Sequence, residues 1–249
     1  VFRQIDQLIA GVQFETARSL LRDMVEPNLG EASQAERARF HATVADLIYC
    51  SKESERVTTE AGNRRITEQY DQSVRLERPL TLVQVERLAA ALLELGDLTG
   101  ARQKLAELDS QIAAKKSGDS TGLDETKTTR NRVFRRLVDA TLRRGDAASG
   151  EIAQMISDYR AGGELSAEDE VWSIARLAEL KIADGQAQDA VQMLLVEMRR
   201  LESDGRDQAA PNIGELYTLL GRGYFDLGDI ERCQGRLETA MQLLPDSDP

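Results

Sequence analysis

Side chains that could carry out catalysis are scarce in this chain. His41 is the only histidine, and it lies in the run RFHATVADLIY. Its spacing to Ala45 and Ile48 predicts that the three residues share one face of a helix. A histidine in that setting is typically a partly buried residue with a hydrogen-bond partner rather than a general base.

The sequence also contains no residue pattern typical of a metal or cofactor site. Cys50 and Cys233 lie in helical segments far apart along the chain, so we expect free thiols, because a disulfide needs Cα atoms within about 7 Å. One histidine and two separated cysteines do not make a zinc site. The acidic residues Asp119, Asp124 and Glu125 lack the spacing of a calcium loop, and no phosphate-binding G-x-x-x-x-G-K-[ST] motif occurs. We therefore expect no catalytic residue, no metal site and no cofactor.

The elements that position the remaining polar side chains are predicted to be helices. Ala, Leu, Glu, Arg and Gln dominate the composition, and these residues favour helix. No run of alternating β-branched residues indicates a strand. The sequence therefore predicts an all-α fold.

The most regular segment is residues 217–245, YTLLGRGYFDLGDIERCQGRLETAMQLLP. Gly228 can end a first helix in the left-handed conformation, and Asp229 can cap a second one. Helical spacing places on one face of the first helix Tyr217, Leu220, Gly221 and Tyr224. The second helix returns across the hairpin with Cys233, Leu237 and Ala240, and the segment closes at Pro245.

This segment resembles a tetratricopeptide repeat (TPR), whose first helix follows W-x2-L-G-x2-Y. Weaker copies of the pattern surround the predicted turn glycines Gly96, Gly145 and Gly185. Sequences that approximate a capping box begin at Ser33, Thr81, Ser166 and Asn212, in phase with those copies. The resemblance implies a right-handed α-solenoid of about six antiparallel helix pairs.

The resemblance covers nearly the whole chain, so residues 1–249 are interpreted as a single TPR-like solenoid. Residues 1–113 hold the N-terminal repeats and residues 128–249 the C-terminal ones. Between them, residues 114–127 (AKKSGDSTGLDETK) are polar and lack apolar periodicity, which predicts a flexible loop.

The resemblance also implies a binding surface. In this family the concave groove is lined mainly by the first helix of each repeat, and its positions map onto a set of residues in the three C-terminal repeats. The predicted groove residues are Arg132, Arg135, Asp139, Leu142, Trp172, Glu179, Ile182, Arg222 and Phe225. Two alternatives stay open: Trp172 packs between repeats, or the arginines around Arg135 form an ordinary solvated face with Asp139.

Two functions are compatible with this reading. The first is a protein-interaction scaffold that binds a peptide or helix of a partner in the groove. The second is a structural solenoid that self-associates as a homo-oligomer within a larger assembly. Groove positions hold no asparagine, which argues against the clamp that some TPR domains use for chaperone tails.

The composition limits which binding partners and which cellular location we expect. The formal net charge of −11 argues against nonspecific nucleic-acid binding, which requires excess positive charge. No stretch approaches the roughly 18 apolar residues of a membrane helix. The chain opens on Val1 without an initiator Met, which is typical of a segment of a longer protein, so localisation stays open with the cytoplasm as the default. Arginine far outnumbers lysine, as in GC-rich bacterial genomes.

Overall fold

Helices account for all regular secondary structure in the residues that the structure describes. The structure is a computed structural model and describes residues 1–55, 59–117, 121–145, 148–162, 165–207, 210 and 212–243. The predicted all-α class is confirmed, because twelve α-helices and no strand occur within these ranges. Across the same ranges, no helix is long and apolar enough to cross a membrane.

The chain divides into two compact units, Val1–Arg143 and Arg144–Pro249. The helices of the N-terminal unit are α1 (Phe2–Ala10), α2 (Phe14–Leu20), α3 (Gln34–Glu55), α4 (Glu60–Arg75), α5 (Leu82–Glu94), α6 (Leu98–Ser117) and α7 (Leu123–Arg144). A π-helical turn (Leu21–Val25) and a 3-10 turn (Glu26–Asn28) follow α2. The helices of the C-terminal unit are α8 (Ser149–Ala161), α9 (Ala167–Ala183), α10 (Ala187–Ser203), α11 (Ile213–Asp226) and α12 (Ile230–Leu243).

Each unit is built by packing helices that are neighbours in the sequence. In the N-terminal unit, α3, α4 and α5 enclose Tyr49, Ile66, Tyr70 and Leu88. In the C-terminal unit, one apolar cluster is shared by α9, α10, α11 and α12. Its fully buried side chains include Ile174, Leu194, Leu216 and Leu220. Local contacts of this kind are those expected from consecutive helical hairpins.

The predicted turns at Gly185 and Gly228 are confirmed by their backbone geometry. Both glycines have positive φ, +76° and +77°, which a residue with a Cβ adopts only with strain. At the second turn, Asp229 N–H donates to Tyr224 O at 2.9 Å and Gly228 N–H to Phe225 O at 2.9 Å. The first turn is closed in the same way, from Gln186 N–H to Lys181 O at 2.8 Å and from Gly185 N–H to Ile182 O at 3.0 Å. These paired bonds form the Schellman motif that ends many helices.

Helix starts agree with the predicted capping residues in three of four cases. Thr81 and Gln84 form a reciprocal capping box at the start of α5. Ser33 and Glu36 bond reciprocally before α3, and the Ser166 hydroxyl accepts from Asp169 N–H before α9. The fourth prediction is wrong, because Asn212 makes no side-chain cap to α11.

The segment 114–127 is helical at both ends, which corrects the predicted loop. Residues 114–117 end α6, and residues 123–127 begin α7. Thr126 is fully buried. Its hydroxyl donates to Gly122 O at 2.8 Å and accepts from Lys115 Nζ at 2.9 Å. Strong helix formers and these local bonds extend both helices without an apolar stripe.

Asp119 and Pro245 lie outside the described residues.

Candidate interaction surfaces

In the N-terminal unit, the predicted groove residue Arg132 and, one turn later on α7, Arg136 pair with α5. Arg132 is exposed, and its Nη1 lies 3.5 Å from Glu86 Oε2. Arg136 Nη2 lies 3.8 Å from Glu86 Oε1. Glu86 of α5 therefore pairs with two arginines of α7. It balances part of their positive charge within the unit. Arg135, Asp139 and Leu142 lie on the same helix and are partly buried.

Two predicted groove residues of α9 are buried, which corrects their assignment as ligand contacts. Trp172 is only 2% exposed and packs edge-on against Tyr159 of α8, with ring centroids 6.1 Å apart and an interplanar angle of 88°. Ile182 is 5% exposed and belongs to the cluster shared with α10 and α11. An indole or a branched side chain at these positions gains more by packing between helices than by facing water. For Trp172, the packing alternative is therefore confirmed.

Polar and charged side chains line adjoining sides of α9 and α11. We call them the charged row, and its members are Arg176, Glu179, Glu215, Thr218 and Arg222. Arg176 of α9 pairs with Glu179 on its own helix and, at 3.3 Å, with Glu215 of α11. Further along α11, Thr218 and Arg222 are exposed. Within the described part of the chain, no ion pair engages Arg222. Of the predicted groove residues in this unit, Glu179 and Arg222 therefore lie on an accessible polar surface.

The last helix pair exposes several large apolar side chains. Phe225, at the end of α11, is 62% exposed. On α12, Ile230 is 58% exposed, Leu237 39% and Met241 78%. We call Phe225, Ile230, Leu237 and Met241 the α11–α12 outer face. Phe225, which was predicted as a groove residue, belongs to this apolar face.

Sequence reasoning missed two polar networks inside the N-terminal unit. Asp46 of α3 accepts from Tyr70 Oη at 2.7 Å and from Gln84 Nε2 at 2.8 Å, and it pairs with Arg87. These bonds join α3, α4 and α5. Burial is the main cause that raises the pKa of the Tyr70 hydroxyl, and the negative charge of Asp46 raises it further. The available signal was a charged residue inside the apolar run VADLIY.

The second network is centred on a buried lysine. Lys52 Nζ lies 2.6 Å from Glu94 Oε2 and 2.7 Å from Asn63 Oδ1. Asn63 Nδ2 donates to the same Glu94 oxygen at 2.6 Å. The three side chains again come from α3, α4 and α5. A buried ammonium with two oxygen partners is a structural contact rather than an open binding site.

The single histidine and the two cysteines are partly or fully buried. His41 is partly buried and its Nδ1 lies 2.8 Å from Gln69 Oε1, which confirms the interpretation as a hydrogen-bonded histidine. Burial raises the pKa of the Cys50 thiol, the opposite of what an activated nucleophile requires. Both cysteines are free thiols, as predicted. No cluster of three or more potential metal ligands occurs among the described residues.

A cleft of about 500 Å³ lies among α8, α9 and α10, and its charges pair internally. Glu170 pairs with Arg200 and, at 2.7 Å, with Arg206. Glu197 pairs with Arg160 at 2.9 Å and with Arg200 at 2.9 Å. Burial alone would raise the pKa of Glu197, but hydrogen bonds and charge from the two arginines outweigh it and lower that pKa. The arrangement joins three helices and leaves little net charge for an anion.

The chain matches no protein-family model, and no curated protein matches it.

Proposed function

We propose that this chain is a TPR-like helical-repeat scaffold, with its helix pairs stacked as a solenoid, that binds a segment of another protein. One observation carries the proposal: the pairs α9–α10 and α11–α12 repeat the same local construction. Gly185 and Gly228 close both first helices with the same two hydrogen bonds. Small buried residues, Ala190 and Cys233, then occupy the same place in both second helices. Repetition of one supersecondary unit is typical of scaffolds whose extended surfaces bind other macromolecules.

The charged row on α9 and α11 is the surface best suited to a peptide in the C-terminal unit. Arg222 supplies a cation, Thr218 is exposed beside it, and Glu179 borders the row on the neighbouring helix. A partner segment with a carboxylate opposite Arg222 would form a charge-assisted hydrogen bond there. Because no ion pair engages Arg222 among the described residues, its charge favours acidic over basic segments at this place.

Selection from a displayed peptide library against the whole chain tests this function. Enriched peptides should contain acidic residues, and Arg222→Glu should weaken their binding by roughly tenfold or more. Arg199→Glu is the matched control, because Arg199 is an exposed arginine on α10, away from the row. Equal loss in both variants, or no enriched peptide, would contradict the proposal.

Self-association as a structural solenoid is the second candidate, and the exposed apolar side chains of α11 and α12 favour it. Sedimentation velocity separates the two candidates. A monomer at all concentrations that still binds peptide supports the scaffold, whereas oligomers that grow with concentration support self-association.

A further inference from the structure

The α11–α12 outer face has a covered counterpart one repeat earlier in the chain. Aligning the turn glycines Gly185 and Gly228 places each member of the face opposite a residue of α9–α10. Phe225, Ile230, Leu237 and Met241 correspond to Ile182, Ala187, Leu194 and Met198. These four counterparts are only 5%, 7%, 0% and 6% exposed, respectively. The same repeat positions are thus buried in one pair and open in the next.

The helix that covers the earlier positions is α11. Gly223 of α11 lies directly against α10, since a Cβ atom there would stand 2.6 Å from Val191 Cγ2 and 3.8 Å from Ala187 O. The apolar side chains of α11 in the same buried cluster are Leu216, Leu219, Leu220 and Tyr224. The occupant of the α9–α10 face is therefore an amphipathic helix with a glycine at the point of closest approach.

The border of the open face is acidic on α12. Glu231 and Glu238 are exposed and lie one heptad apart, beside the stripe of Ile230, Leu237 and Met241. Two copies of α12 packed antiparallel would bring these like charges close together, and each chain carries a net charge of −11. A helix with basic residues along its flank suits this border better than a second copy does.

We propose that the α11–α12 outer face is a docking surface for a basic amphipathic helix of a partner protein, which lies on it as α11 lies on α9–α10. The apolar stripe supplies the anchoring contacts at i, i+7 and i+11 along α12, and the glutamates select the charge of the partner. Arg222 of the charged row lies one helical turn before Phe225 on α11, so the two surfaces adjoin.

The probes for this surface are two stapled peptides with the sequence of residues 213–226. One carries Thr218→Lys and Gly221→Lys, and the other Thr218→Glu and Gly221→Glu. Gly221 faces α12 and Thr218 faces solvent in the native chain, so both changes leave the side of the helix that contacts α10 intact. Binding of the labelled peptides to the whole chain is measured by fluorescence anisotropy. The lysine peptide should bind at least roughly tenfold more tightly.

Matched variants of the whole chain locate the binding. Ile230→Ser with Met241→Ser should weaken binding of the lysine peptide by roughly tenfold or more. Val83→Ser with Val196→Ser should change that affinity less than about twofold. All four side chains are at least half exposed, so both double variants should fold as the parent does, which circular dichroism verifies. Glu231→Gln with Glu238→Gln should remove the preference for the lysine peptide.

Three results would overturn the proposal. The first is equal loss in the two serine double variants, and the second is equal affinity for the two peptides. The third is a dimer in sedimentation that Ile230→Ser with Met241→Ser dissociates, which would assign the face to a second copy of the chain.

Discussion

Gly223 of α11 and Val191 of α10 approach so closely that no Cβ atom fits between them. A Cβ built on Gly223 would lie 2.6 Å from Val191 Cγ2. Gly235 of α12 offers the opposite case, because a Cβ there meets nothing within 4 Å. The two glycines therefore distinguish a packing requirement from a dispensable one within the same C-terminal unit.

Gly223→Ala should destabilise the C-terminal unit by about 1–3 kcal/mol, since the cost of overpacking exceeds the gain in helix propensity of about 1 kcal/mol. Urea unfolding followed by circular dichroism measures the change. Gly235→Ala should instead stabilise by about 0.5–1 kcal/mol. The double variant Gly223→Ala with Val191→Ala should lose less stability than the sum of the two single losses, because removing the Val191 methyl groups makes room for the new Cβ. A strictly additive double variant would contradict the close approach.

Trp172→Ala should lower the free energy of unfolding by about 3–5 kcal/mol, because it removes a buried indole and its edge-on contact with Tyr159. Thermal unfolding gives the magnitude. Since Trp172 is the only tryptophan, its fluorescence in the parent chain should be blue-shifted and poorly quenched by acrylamide. Emission typical of a solvated indole would contradict the burial.

Glu94→Gln should destabilise the N-terminal unit by about 2 kcal/mol, because it leaves Lys52 buried without a carboxylate. The value lies below the ~3–5 kcal/mol of a fully buried pair, because Glu94 is 34% exposed. Glu60→Gln breaks an exposed pair with Arg64 and should cost less than about 0.5 kcal/mol. Lys52→Met added to Glu94→Gln should restore stability, and a further loss would argue against an unpaired charge as the cause.

Glu197 should make stability depend on pH in the acidic range. Its folded-state pKa is lowered, so its contribution is complete above the unfolded value of about 4.3 and is lost as the pH falls through the lower folded-state pKa. The stability difference between the parent and Glu197→Gln should be constant from about pH 5.5 to 8 and shrink below about pH 4. Glu151→Gln, at an exposed position of α8, should show no such convergence in urea unfolding.

The sequence by itself determined what depends on neighbouring residues. The turns at Gly185 and Gly228 follow from a local conformation that glycine adopts without strain, and the cap at Thr81 follows from side chains three residues apart. Helical periodicity likewise predicted which side of α11 carries Leu220 and Tyr224. The absence of periodicity in residues 114–127 led to the wrong prediction of a loop, because good helix formers continue a helix without an apolar face.

The tertiary structure alone decided which helical positions are accessible. Ile182 and Phe225 occupy the same place in consecutive repeats, yet one is 5% exposed and the other 62%. No local pattern separates them, since their burial depends on whether another helix packs on that pair. The partners of Lys52 and Asp46 were hidden for the same reason, because each network joins side chains of three helices. Periodicity identifies the face of a helix, whereas burial is a property of what lies against that face.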